Sequence, residues 1–208
     1  MNTKNGILIG YSGHAFVVAE ALELRGITLL GYADQKPSEI NPFKLSFLGS
    51  ELAEDFEYWN TENLFYLGIG DNQIRQKVAK MIAENNGICA TILHPNSHIS
   101  KYVEIGEGTF VARSVAINPL CKIGKYVIIN TSASIDHECR IGDGVHIAPG
   151  AVLAGNVKVR QGSFIGANAV IKQGVEIGEN VTIGAGAVVL KNIASNLKVV
   201  GNPARVIG

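Results

Sequence analysis

From residue 99 to residue 189 every sixth residue is Ile, Val or Leu: Ile99, Ile105, Val111, Ile117, Ile123, Ile129, Ile135, Ile141, Ile147, Leu153, Val159, Ile165, Ile171, Ile177, Ile183 and Val189. If a third of the segment were such residues, a run of this length would arise, allowing for six phases, with odds on the order of 10⁻⁷, so the period is a property of the fold. Four residues after each of these the side chain is again small or branched, as at Val103, Thr109, Val115, Cys121, Val127, Ala133, Cys139, Val145 and Ala151. Two inward positions flanking one outward position is the signature of a short strand. The residues between are often Gly, Asn, Asp or Pro, which turn corners. Three hexads then make one triangular coil of 18 residues, and that longer period is visible too. "INTSAS" (129–134), "IAPGAV" (147–152), "IGANAV" (165–170) and "IGAGAV" (183–188) recur in register, and Pro119 and Pro149 fall at corners. The segment is a parallel solenoid.

Composition agrees with a repetitive, closely packed core: 24 glycines in 208 residues and only 7% aromatics. The formal net charge is zero, which gives no reason to expect a nucleic acid or an acidic membrane surface as partner. Three cysteines, an odd number without metal-ligand spacing, point to a reduced, cytoplasmic setting. "MNTKNGILIG" lacks the long apolar region of a signal peptide, and no apolar run is long enough for a membrane span.

Residues 1–94 read as a separate α/β unit. "GILIG" (6–10) predicts a strand, followed by the Gly-rich "YSGHA" (11–15) and a helix closed by Gly26. "ITLLGYA" (27–33) is a second strand ending at Asp34, a helical stretch is expected near 51–58, and "LFYLGIG" (64–70) is a third strand. Asp71 is placed to cap a helix over 71–85, and "GICATIL" (87–93) reads as one further strand before His94-Pro95. The alternation argues a small parallel sheet of Rossmann type, with Ser12–His14, Asp34 and Gly70–Asn72 at its carboxyl edge, where open α/β sheets bind ligands. The loop does not match the dinucleotide fingerprint, so NAD is disfavoured; its backbone amides could instead hold an anion.

The most densely charged part of the solenoid is "IDHECR" (135–140). His137 and Glu138 fall at a corner, where side chains are free. Histidine suits a general base because its unperturbed pKa of about 6.5 lies near neutrality, and an adjacent carboxylate fixes its tautomer. One coil later, the equivalent of His137 is Gly155.

"GYSGHA", "IGDNQIRQK", "LHPNS", "INTSASIDHECRIG", "AGNVKV" and "VGNPAR" follow one another along the whole chain. In that order they resemble bacterial nucleotide-sugar acetyltransferases of the hexapeptide-repeat superfamily, the group that also contains sialic acid O-acetyltransferases. The resemblance implies an N-terminal Rossmann-like nucleotide-sugar domain (1–94), a left-handed parallel β-helix (95–194) and a closing tail (195–208). It implies acetyl-CoA as co-substrate, no metal, and a homotrimer with active sites between neighbouring helices. It assigns His137 as base, Glu138 as its orienting partner and Gly155 as an oxyanion-binding amide. It sets His146, on an outward strand position, with Asn130, Gly155, Ala167 and Ala185 against acetyl-CoA. It sets Ser12, Gly13, His14, Asp34 and Gly70 against the nucleotide sugar, and it extends to Arg205 near a CoA phosphate. Asp71 departs from the family, where the best-known members have Asn, so helix capping is its expected role. Asp136 and Arg140 receive no role.

The implied reaction is N-acetylation of a nucleotide-linked amino sugar, a UDP-linked 4-amino-deoxy sugar being favoured over GDP- and dTDP-linked ones. Acetylation of a sialic acid oxygen and a non-catalytic sugar-binding solenoid are the alternatives. A metal enzyme like the carbonic anhydrases that share this fold needs three histidines at one interface; here His137 and His146 are nine residues apart, and His94 and His98 lie before the main run of coils. A cysteine acyl-enzyme is disfavoured because Cys121 and Cys139 both face inward, 18 residues apart.

Overall fold

A computed structural model describes residues 5–207; residues 1–4 and 208, the extreme ends of the first unit and of the tail, lie outside the described residues. The chain opens with β1 (Asn5–Ile9), α1 (Gly13–Leu24), β2 (Leu29–Ala33), β3 (Asn63–Leu67), α2 (Asn72–Glu84) and β4 (Ile88–Cys89). The four strands form one parallel sheet in the order β2-β1-β3-β4. Alternation sorts their side chains. Ile7, Ile9, Phe65 and Leu67 pack with Val78, Ala79 and Ile82 of α2. Leu8, Tyr32 and Tyr66 pack with Ala15, Val18, Ala19 and Leu22 of α1.

Two expectations fail here. Residues 51–58 form successive turns instead of a helix, tied by short bonds such as Ala53 N to Ser50 O and Phe56 N to Ala53 O. The aromatics decide this: Phe56 packs on Trp59 and Trp59 on Phe65, which draws the segment down as a lid on the α2 side. "GICATIL" is two strands, not one. Ile88–Cys89 joins the front sheet, while β5 (Ile92–Leu93) pairs with Phe110–Val111 and belongs to the solenoid. The chain changes layers between Cys89 and Ile92.

The solenoid has three flat faces of two-residue strands, paired in parallel with the strand 18 residues on: Ile123 with Ile141, Ile129 with Ile147, Ile135 with Leu153. The final step shortens to 16 residues at Ile183–Val199 before the Lys198–Val200 and Arg205–Ile207 strands close the end. Of the sixteen repeat positions, those from Val111 to Val189 are all buried. Each such burial contributes about 1.5–3 kcal/mol. Every corner turns through a left-handed residue, one per hexad from Gly108 to Gly186, filled by Gly, Asn, or less favoured types such as Leu120 and Glu138.

The three faces differ outwardly. The junction face carries Phe110, Ile128 and His146, all buried because the front unit lies on it. Its apolar side chains merge with α1 into one core. The charged face carries Glu104, Lys122, Arg140, Lys158 and Glu176 in register. The plain face carries Ala116, Ser134, Val152, Val170 and Val188.

Candidate active site

At the corner between the plain and charged faces, Glu138 adopts φ +61°. Such a conformation costs a non-glycine residue about 1–2 kcal/mol. It also turns the carboxylate back along the chain, so that Oε2 lies 3.0 Å from His137 Nδ1. In a straight strand the two side chains would point apart. Nδ1 is thereby committed to the carboxylate, and Nε2 is the nitrogen left for chemistry. Both side chains are about half exposed, 49% and 57%.

The His137 ring lies directly over Gly155, which is buried beneath it. A Cβ on Gly155 would sit 2.5 Å from His137 Cε1 and 2.7 Å from Nε2. The missing side chain is what admits the imidazole. The Gly155 N–H donates to no described residue. Gly155→Ala is therefore expected to displace the ring and lower kcat by about 10²-fold, the scale on which a misplacement near 1 Å acts. Steady-state thiol release checks this, with an unchanged melting temperature separating it from misfolding.

Asn130 lies at a different corner, between the junction and plain faces; Ala167 and Ala185 are at the same corner, stacked 18 residues apart one position further along. His146 is not an exposed strand histidine. It is 9% exposed, because the front unit covers its face, and it stands edge-on to Phe164 at 5.1 Å. Its Nδ1 is 3.3 Å from Gly70 O, a group that only accepts, so the proton is on Nδ1. Nε2 then accepts from Asn130 Nδ2 at 3.2 Å, while Asn130 Oδ1 accepts from Thr131 N. His146 thus joins the Gly70 turn of the front unit to the Asn130 corner.

Burial, with the neighbouring Arg75 guanidinium, pushes the His146 pKa down to about 4. Burial, then His146 and Arg75, push His14 down to about 3. Both are neutral at pH 7. Unfolded histidines take up a proton below about pH 6.5, whereas these folded ones resist it until about 4 and 3. Stability is therefore full above pH 6.5 and falls as the pH drops toward 4, each histidine contributing a slope of about 1.4 kcal/mol per pH unit. Thermal melts between pH 7 and 4 check this; the double variant His14→Gln/His146→Gln should flatten the dependence.

In the front unit, Tyr11, Ser12, Gly13, Phe16, Asp34 and Ile40 line a cavity of about 430 Å³ at the carboxyl edge of the sheet. Asp34 closes its floor, accepting from Tyr11 N at 2.8 Å and Gln35 N at 2.7 Å. The two helix N-termini differ. Asp71 caps α2 through Gln73 N and Ile74 N, as its departure from the family pattern suggested. Ser12 begins α1 without a side-chain cap, and Gly13 is open, leaving amides for an anion. His14 and Gly70 do not line this cavity. They face the solenoid, where His14 lies 6.2 Å from the His146 ring with Nε2 buried and unpartnered.

The expected site residues therefore fall into three groups within one chain. Ser12, Gly13 and Asp34 form the front cavity. His14, Gly70, His146 and Asn130 form a continuous path from it across the junction. His137, Glu138 and Gly155 stand at another corner, on the far side of the plain face from Asn130, Ala167 and Ala185. Sequence reasoning missed Arg75, which is 1% exposed and ties the junction together. Its guanidinium donates to the carbonyls of Tyr126, Ile69, Gly70, Gly144 and Val145 and to Asn72 Oδ1. Arg205 is exposed, and among the described residues its side chain bonds to Ala204 O alone. Cys121 and Cys139 are fully buried, as expected for core thiols, and donate to the carbonyls of Asp136 and Ala154.

A hexapeptide solenoid with an exposed His–Glu corner and an α/β unit docked on one face defines an acyltransferase architecture. Residues 6–82 match the PglD N-terminal domain, and 120–155 and 156–191 match the bacterial transferase hexapeptide (six repeats). PerB of Caulobacter crescentus, solved with CoA and GDP-perosamine, is 33% identical with TM-score 0.91, over 98% of this chain and 97% of that one. The acetyltransferase domain of PglB from Neisseria gonorrhoeae, solved with acetyl coenzyme A, is 29% identical with TM-score 0.89, over 99% and 100%. UDP-N-acetylbacillosamine N-acetyltransferase of Bacillus subtilis (strain 168) is 32% identical over 110 residues, a match spanning 52% of this chain and 51% of that protein. The chain belongs to the family of hexapeptide-repeat sugar N-acetyltransferases that contains PerB and the acetyltransferase domain of PglB.

Proposed function

We propose that this chain transfers an acetyl group from acetyl-CoA directly to the amine of a nucleotide-linked amino sugar, with His137 as general base. The observation that carries the reading is the His137 Nδ1–Glu138 Oε2 pair at 3.0 Å, on an exposed corner above a glycine. Glu138 fixes the tautomer and stabilises the imidazolium. The Gly155 amide is the donor assigned to the oxyanion. The uncapped start of α1 takes the diphosphate, and the path over His14, Gly70 and Asn130 leads the sugar toward the donor. In this reading residues 1–94 bind the nucleotide sugar, 95–194 carry the transfer and 195–208 close the solenoid. A UDP-linked 4-amino-deoxy sugar is the first candidate, in line with the name of the Bacillus subtilis relative. A GDP-linked one follows, in line with the ligand of PerB.

The reading includes a homotrimer. Of the three faces, one is covered and one is charged; the plain face, with Val152 and Val170 each 39% exposed, is free and apolar. It is bounded by the His137 corner on one edge and the Asn130–Ala167–Ala185 corner on the other. Packing on this face about a threefold axis would seat the His137 corner of one chain against the Asn130 corner of the next. That closes a donor site which neither corner makes alone. Among the described residues no helix is long and apolar enough to cross a membrane; a cytoplasmic location is part of the proposal.

The test is a thiol-release assay with acetyl-CoA against UDP-, GDP- and dTDP-linked amino sugars and CMP-sialic acid, with the mass in solution measured by light scattering. Turnover of an amino sugar by a trimer is expected. Release with the sialic acid alone would favour acetylation of oxygen, and an active monomer would overturn the shared site.

A further inference from the structure

The side of His137 that faces away from Glu138 also carries a carboxylate. Asp136 Oδ1 accepts from the His137 N–H at 2.8 Å and from Asn118 Nδ2 at 2.8 Å. The other oxygen, Oδ2, is left 4.0 Å from His137 Nε2, with the side chain 42% exposed. The Asn118 amide and the His137 N–H hold this carboxyl below its usual range, so it stays ionised. We propose that Asp136 is a specificity-determining residue that selects an amine over a hydroxyl as acceptor. The inference rests on the acetyl-transfer reading with His137 as base.

The argument is geometric. A nitrogen at an ordinary hydrogen-bond distance of about 2.8 Å from both Oδ2 and Nε2, which are 4.0 Å apart, sees them at an angle of roughly 90°. Two N–H bonds of one amine spread by nearly that much, so one amino group satisfies both acceptors. A hydroxyl has a single hydrogen and reaches only one of them. Its oxygen lone pairs would then face a carboxylate. Charge acts in the same direction, since a sugar amine is largely an ammonium at neutral pH and a hydroxyl is neutral.

The proton count is compatible with a second polar group beside the base. The incoming R–NH₃⁺ loses one proton to solvent alongside the exposed Asp136 carboxylate. His137 Nε2 takes the next as the N–C bond forms to the acetyl carbon. The imidazolium then gives its proton to sulfur as the C–S bond breaks, yielding the amide and CoA thiol with one net proton released.

The experiment compares wild type with Asp136→Asn, whose Oδ1 keeps both internal hydrogen bonds. The acceptors are the nucleotide amino sugar turned over best and its counterpart with a hydroxyl at the same carbon. For the amine, KM should rise about 10- to 100-fold, the range of a lost hydrogen bond to a charged group. The Kd of the hydroxyl counterpart and the melting temperature should not change. Equal losses for amine and hydroxyl ligands, an amine KM that does not move, or a wild type that prefers the hydroxyl would each overturn the role of Asp136. Absence of thiol release with every acceptor sinks the acetyl-transfer reading instead, which keeps the two failures apart.

Discussion

Replacing His137 with alanine is expected to lower acetyl transfer by about 10²–10⁴-fold, the range supplied by a positioned general base. The dissociation constant for acetyl-CoA should stay where it is. The two outcomes separate because the proposed donor contacts are Asn130, Ala167, Ala185 and the Gly155 main chain, not the His137 ring, and because removing an exposed ring disturbs no core. Glu138→Gln should cost less. Its carboxylate is 57% exposed, so water replaces part of what it does for the imidazolium. Turnover of His137→Ala equal to wild type, by thiol release with saturating acceptor, would remove the base from this corner and leave the pair as a solvated turn.

The solenoid was legible because its signal is repeated. One inward side chain per hexad, sixteen times without a gap, leaves no other period to compete. The same regularity made the corners readable, and with them the exposure of His137 and its nearness to Gly155. What a periodic pattern does not carry is which face another unit covers. His146 looks like any outward strand residue; only the docking of α1 and the Gly70 turn buries it. The 51–58 segment failed for a related reason, since its conformation is set by Phe56 and Trp59 packing onto the sheet and not by local propensity. "GICATIL" is continuous in hydrophobicity, so nothing in it marks the change from one sheet to another. The site residues were nameable one by one through resemblance, but their division between two corners was not. That division follows from the coil: residues 18 apart stack on one corner, and Asn130 and His137 are seven apart.

Arg75 carries the second large prediction. Arg75→Met is expected to destabilise the fold by roughly 3–5 kcal/mol. In a chain of this length that is a fall in melting temperature of about 10 °C. The guanidinium is 1% exposed, and among the described residues its partners are five carbonyls and one side-chain amide, with no carboxylate bonded to it. Burial lowers its pKa only to about 10, so the charge is retained. A buried cation held by neutral acceptors is costly in itself, and its substitution leaves those carbonyls without donors in a closed interface. Sequence could not announce this, because main-chain acceptors at Tyr126 and Gly144, 51 and 69 residues away, leave no residue pattern. Arg75→Lys should recover only part of the loss, since three donors on one point replace five in a plane. The functional consequence follows from the same bonds. Gly70 O accepts from both Arg75 Nη1 and His146 Nδ1, and His146 in turn holds Asn130. Loosening Arg75 should therefore raise KM for both substrates together, measured below the melting transition of Arg75→Lys. A rise for neither would mean that the junction positions the two units without setting the site between them.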